Sequence, residues 1–137
     1  KQYELLGMTK NLLEQAKSSF TAKYTEPVMQ GFRKYYRMLT GTECENYQMD
    51  ANTRLKVIEG NMPRDIGYLS LGNRDLIGIC MRLALVEAMY EEQKPFLILD
   101  DPFVNLDENR TKGAMRFLTE IAKEYQVIYF TCHGSRE

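Results

Sequence analysis

Residues 95–107 read Pro-Phe-Leu-Ile-Leu-Asp-Asp-Pro-Phe-Val-Asn-Leu-Asp, and no other stretch of the chain restricts its fold as tightly. Four consecutive apolar residues, Phe96, Leu97, Ile98 and Leu99, follow a proline and run straight into Asp100 and Asp101. A short apolar run of this kind predicts a strand buried on both faces, as in a parallel sheet covered by helices. Carboxylates cannot stay in such an interior without partners, so the strand ends where they begin. In open α/β sheets, ligands gather at the carboxyl ends of the strands. Paired acids delivered to that edge suit a hydrated Mg²⁺ beside a nucleotide, the Walker B pattern.

The residues that follow complete the unit. Ala114, Phe117, Leu118, Ile121, Ala122 and Tyr125 recur at helical spacing and predict a helix over 107–124. Val127, Ile128, Tyr129, Phe130 and Thr131 then predict a second buried strand. Strand, helix and strand make a parallel βαβ unit. Parallel neighbours end at the same edge, so His133 is expected beside Asp100 and Asp101. A lone histidine is ordinarily a surface residue; its place just past a strand next to an acid pair reverses that reading.

Upstream, Leu5, Leu6, Leu12, Leu13 and Phe20 lie on a stripe repeating every seven residues over 1–25. The stripe fits an amphipathic helix packed on its own domain or the end of a coiled coil, and two to three heptads do not separate the two. Because the chain opens on Lys1 inside this helix, it reads as a fragment of something longer. Pro27 predicts a break before a second helix reaching Leu39 and stopping at Thr40-Gly41. That helix carries Arg33, Lys34, Tyr35, Tyr36 and Arg37, a basic and aromatic cluster that is ordinarily a solvated face and alternatively a DNA contact. Residues 45–50 and 54–59 fit an antiparallel hairpin, followed by a loop over 60–67. Ser70 is the predicted N-cap of a long helix reaching Glu91, apolar on several sides and therefore buried. Its start, Ser-Leu-Gly-Asn, offers backbone N–H groups to an anion.

The 137 residues suffice for one domain with a core, and the net charge of −1 supplies no basic field for nucleic acid. Cys44, Cys80 and Cys132 are odd in number, widely spaced and without a Cys-x-x-Cys. They fit reduced thiols of a cytoplasmic protein. No signal peptide or membrane-spanning run is evident, so no membrane partner is expected.

In this order, Leu69-Ser70-Leu71-Gly72, the acid-ended strand at 96–101, Asn105-Leu106-Asp107 and His133 resemble four motifs of one family. They match the signature, Walker B, D-loop and switch histidine in the C-terminal half of an ATP-binding-cassette head of the SMC/SbcC type. Leu-Asp-Asp-Pro-Phe, with Phe-Thr-Cys-His later, is similar to bacterial YhaN-like coiled-coil ATPases. The resemblance spans residues 35–137. It implies an α/β lobe of a P-loop NTPase at 27–137, with parallel strands flanked by helices, a small antiparallel hairpin and N-terminal helices leading to a coiled coil at 1–26.

It also implies ATP and Mg²⁺ as cofactors. Asp100 would hold the metal through its water shell, and Asp101 would polarise the attacking water where most relatives place a glutamate. His133 would sense the γ-phosphate. Ser70, Leu71, Gly72 and Asn73 would meet ATP bound on an opposing head, with Asn105 and Asp107 communicating across the interface. The implied partners are the N-terminal half of the same head and a second head in a homodimer, with DNA and a nuclease subunit on family analogy. The sequence holds no Gly-x-x-x-x-Gly-Lys-[Ser/Thr], so nothing in it cradles the α- and β-phosphates. The chain alone is therefore expected neither to bind ATP tightly nor to hydrolyse it. A non-catalytic or very slow ATP-dependent dimerisation switch is the alternative. A transporter cassette and an Asp-rich regulator fit the motif set less well.

Overall fold

Helix α1 runs unbroken over Gln2–Thr40 in the computed structural model, which describes residues 2–50 and 52–132. The predicted division at Pro27 is absent: the helix passes straight through it. An interior proline forfeits a backbone hydrogen bond and costs about 3 kcal/mol. Burial of Val28, Met29, Phe32, Tyr35 and Leu39 just beyond offsets this, since each such side chain contributes about 1.5–3 kcal/mol. The helix stops where the sequence places its end. Gly41 takes a left-handed backbone (φ +73°), and its N–H reaches the Arg37 carbonyl at 2.8 Å.

The outer part of α1 behaves differently from the inner part. Leu5, Leu6, Met8, Leu12 and Leu13 are 64–66% exposed. The heptad stripe is thus left exposed by the described residues of this chain. The inner part crosses helix α2 (Leu71–Met89) so closely that a Cβ on Gly31 would lie 3.1 Å from both Cα and Cβ of Ala84. Ile77, Cys80, Leu83 and Ala84 of α2 meet Phe32 and Tyr35 in one core, which Phe117 of helix α3 (Glu108–Ile121) closes with its ring edge-on to Tyr35 at 6.3 Å. Among the described residues no helix is long and apolar enough to cross a membrane.

Strands β1 (Tyr47–Met49), β2 (Leu55–Glu59) and β3 (Met62–Asp65) form an antiparallel sheet in chain order. The sequence predicts the first pair and reads β3 as loop; the structure corrects this. Gly60 and Asn61 both take positive φ (56° and 64°), the requirement of a two-residue primed turn. Pro63 is tolerated because β3 is an edge strand. A 3₁₀ turn, Ile66–Tyr68, leads on to α2.

Strands β4 (Leu97–Asp100) and β5 (Val127–Phe130) pair in parallel, from Leu97 with Val127 to Asp100 with Phe130, with α3 between them in sequence. Leu97, Leu99, Val127 and Tyr129 pack against the core. The opposite face corrects the expected burial on both sides: Ile98 is 58% and Phe130 56% exposed. The apolar run is as the sequence spells it, but no layer within the described residues lies over that face.

Candidate functional site

The acid-ended strand delivers its carboxylates as the sequence predicts. Asp101 extends the ladder one step past β4, its N–H donating to the Phe130 carbonyl at 2.8 Å, and then turns into the left-handed region (φ +39°). For a residue with a Cβ this backbone costs on the order of 1 kcal/mol, and aspartate is among the few that tolerate it. Asp100 is exposed and Asp101 half-buried. The Cys132 thiol, just past β5, donates to Asp101 Oδ2 at 3.1 Å. Both strand ends thus reach one point, as parallel pairing requires. His133 lies outside the described residues.

The loop after Asp101 is pinned from below. Phe103 is fully buried and Leu106 nearly so, and the Leu106 N–H closes a turn on the Phe103 carbonyl at 3.2 Å. Asp107 then caps α3, its Oδ1 accepting from the Arg110 N–H at 2.9 Å. Ser70 caps α2 in the same way, accepting from the Asn73 N–H at 3.3 Å.

These two helix starts form one surface. Gly72 is buried against the loop: a Cβ there would sit 2.8 Å from the Asn105 carbonyl oxygen. Close backbone approach, which only glycine allows, explains this residue. Asn105 Nδ2 donates to Asp75 Oδ2 at 2.7 Å, and Arg110 Nη1 donates to Asn73 Oδ1 at 2.7 Å. Arg110 Nε also lies 3.4 Å from Asp107 Oδ2. Leu71 stays 58% exposed beside them. Ser70, Leu71, Gly72, Asn73, Asn105 and Asp107 are therefore gathered together. Asp75 and Arg110 were not singled out by the sequence, and their partners stand 30 and 37 residues away, so no local pattern marks them.

A cleft of about 590 Å³ runs beside this surface, between α2 and the end of β4. Asp100, Asp101 and Asn105 line it together with Arg74 and Arg82, whereas Ser70, Leu71 and Gly72 do not. Two arginines near three carboxylates, Asp75 being the third, give the cleft both signs of charge. Among the described residues no group of three or more His, Cys, Asp or Glu converges to hold a metal. One or two carboxylates at an open strand end suit Mg²⁺, which keeps its waters and takes other ligands from phosphates.

The basic cluster of α1 makes contacts within the chain itself. Tyr35 is buried in the core, Lys34 pairs with Glu87 at 2.8 Å, and Arg37 pairs with Glu43 at 3.2 Å. Arg33 lies 3.8 Å from Glu26. The cysteines form no disulfide. Burial pushes the Cys80 thiol up to about 12, which keeps it inert.

No family model matches the chain. Two curated relatives align with about half of it. One is the DNA double-strand break repair Rad50 ATPase of Archaeoglobus fulgidus, 34% identical over 70 residues, which are 51% of this chain and 8% of that protein. The other is the uncharacterized protein YhaN of Bacillus subtilis, 35% identical over 66 residues, 47% of this chain and 7% of that protein. The chain thus spans less than a tenth of either relative.

Among solved structures, one concerns ATP-driven dimerization and DNA stimulated activation of SMC ATPases. It matches 88% of this chain and 75% of its own, at 20% identity and a TM-score of 0.65. The Smc head domain of Pyrococcus furiosus, with an extended coiled coil and bound to the C-terminal domain of ScpA, matches 97% of this chain and 35% of its own. Its identity is 18% and its TM-score 0.60. The fold is that of SMC head domains, a P-loop NTPase fold, and about half of the chain is similar in sequence to the Rad50 and YhaN segments.

Proposed function

We propose that the chain is the C-terminal lobe of an ATPase head that binds and hydrolyses ATP between two engaged heads, moving coiled coils in DNA repair or chromosome maintenance. The observation that carries this is the separation of two surfaces. Asp100 and Asp101 share a cleft that Asn105 also lines, while Ser70, Leu71 and Gly72 stand outside it with Asp107. A signature that does not serve its own acids suits a nucleotide held by a second copy. The uncovered face of Ile98 and Phe130 suits the Walker A lobe that the chain lacks, and the exposed stripe of α1 suits an antiparallel coiled-coil partner.

In this reading Asp100 holds Mg²⁺ through its waters, and the bound ion screens the phosphate charge. Asp101 orients the attacking water, with His133 beside the γ-phosphate. Ser70, Leu71, Gly72 and Asn73 present a helix N-terminus to the opposing ATP. Asn105 and Asp107 report engagement between heads. DNA, and a nuclease subunit beside the head, belong to the same proposal through the Rad50 likeness.

A switch with slow or no hydrolysis is the second reading. Asp101 favours it, since the shorter acid is tied by the Cys132 thiol and its strained backbone. The test is phosphate release by this chain co-expressed with its upstream Walker A half, beside a Ser70→Arg version. Turnover that Ser70→Arg abolishes supports the two-head ATPase. ATP binding without turnover supports the switch. No binding by an assembled pair removes both.

A further inference from the structure

The two asparagines of the shared surface hold their amides in opposite senses, and their partners dictate which way each must lie. Asn73 Oδ1 faces Arg110 Nη1 at 2.7 Å, and Asn105 Nδ2 faces Asp75 Oδ2 at 2.7 Å. A guanidinium only donates and an ionised carboxylate only accepts. Reversing either amide would set donor against donor or acceptor against acceptor. Asn73 is left with its NH₂ group to offer outward, and Asn105 with its carbonyl oxygen.

Arg110 is itself fixed at two points. Its backbone N–H donates to Asp107 Oδ1 at 2.9 Å and its Nε lies 3.4 Å from Asp107 Oδ2. One arginine therefore joins the cap of α3 to the first turn of α2, and both of its bonds are charge-assisted.

We propose that Arg110 and Asp75 are positioning residues of the engagement surface. Arg110 turns the Asn73 amide N–H₂ toward an anionic phosphate, and Asp75 turns the Asn105 carbonyl toward a donor on the opposing head. This rests on the two-head reading above. It adds that each asparagine can serve one polarity only, so the surface recognises an anion at Asn73 and a cationic or N–H group at Asn105.

The experiment uses the full-length head, Walker A lobe included, and measures ATP-dependent dimerisation by sedimentation together with KM and kcat. Arg110→Met is expected to weaken dimerisation about tenfold, the loss of one charge-assisted contact, and to raise KM more than it lowers kcat. Arg110→Lys, which still only donates, recovers most of the loss. Asn73→Asp is the second variant. It keeps an oxygen toward Arg110 and puts another where the NH₂ stood, so it folds as before and loses ATP-dependent dimerisation. If Ser70→Arg blocks dimerisation while Arg110→Met or Asn73→Asp does not, the inference is overturned and the head reading stands. Failure of Arg110→Lys to rescue overturns it likewise. Absence of ATP-dependent dimerisation in the unmodified head removes the head reading and this inference together.

Discussion

The described residues form two small sheets, and they are finished to different degrees. The antiparallel sheet of β1, β2 and β3 closes its own turns. Gly60 and Asn61 supply the positive φ one needs, and Asp50 Oδ1 accepts from the Asn52 and Arg54 N–H groups in the other. Its edge strand β3 carries Arg64 and Asp65, paired with Glu59 and Lys56 of the central strand, both at 3.1 Å. Charge along an edge discourages further pairing. The parallel sheet has two strands, β4 and β5, among the described residues and shows Phe96, Ile98 and Phe130 at 56–60% exposure. A contiguous apolar patch of that kind marks a contact surface. The first sheet is complete in itself; the second leaves an apolar face that the described residues do not cover.

The largest expected effect separates the sheets by burial. Leu55→Ala, at a site 6% exposed in β2, should cost about 2–5 kcal/mol in a denaturant melt. Ile98→Asp should stay within about 0.5 kcal/mol in the same chain, yet prevent co-purification with the upstream lobe. Equal melts for the two variants would mean that the face of Ile98 is covered within this chain.

A smaller effect is expected at the strained end of β4. Asp101→Gly relieves the left-handed backbone at the expense of chain entropy, so stability should hold or rise by up to about 1 kcal/mol. Phosphate release by the assembled head should fall in the same variant. A clear drop in melting temperature contradicts stored strain.

The smallest concerns pH. Backbone N–H donors, from Arg54 at Asp50 and from Gly67 at Asp65, hold both carboxyls below their usual range. A depressed folded value means stabilisation that is present above the unfolded pKa and lost as pH falls through the folded one. Protection factors at the Arg54 and Gly67 amides should therefore hold down to about pH 4 and fall below it. Protection unchanged down to about pH 2 sinks this.

Much of the βαβ unit was legible because its signals are local. An apolar run ending in two acids, a helical stripe and a second apolar run fix element types without knowledge of their neighbours. The cap at Ser70 was legible for the same reason. What escaped the sequence depends on distant parts. Pro27 reads as a break until the burial of Val28, Met29 and Phe32 is known to hold the helix. Pro63 masked the Gly60-Asn61 turn, whose dipeptide is itself a hairpin signal. The exposure of Ile98 cannot be read from an apolar run, which looks alike whether its cover is present or elsewhere. Arg110 and Asp75 carry no signal until folding brings them to Asn73 and Asn105.

Helix α1 has one more consequence, which is mechanical. Its inner turns are clamped where Gly31 meets Ala84, Lys17 Nζ still reaches Asn52 Oδ1 at 2.9 Å, and the segment before Lys17 stands out as an arm of about 22 Å. A 10° rotation of the clamp displaces the tip of such an arm by about 4 Å. Pro27 removes a backbone bond one turn outside the clamp, so the bending compliance of the rod concentrates there rather than along its length. The helix is a lever with a soft collar at its mount. How faithfully it transmits a small turn of the lobe depends on the stiffness of that collar and on the absence of a methyl group at Gly31.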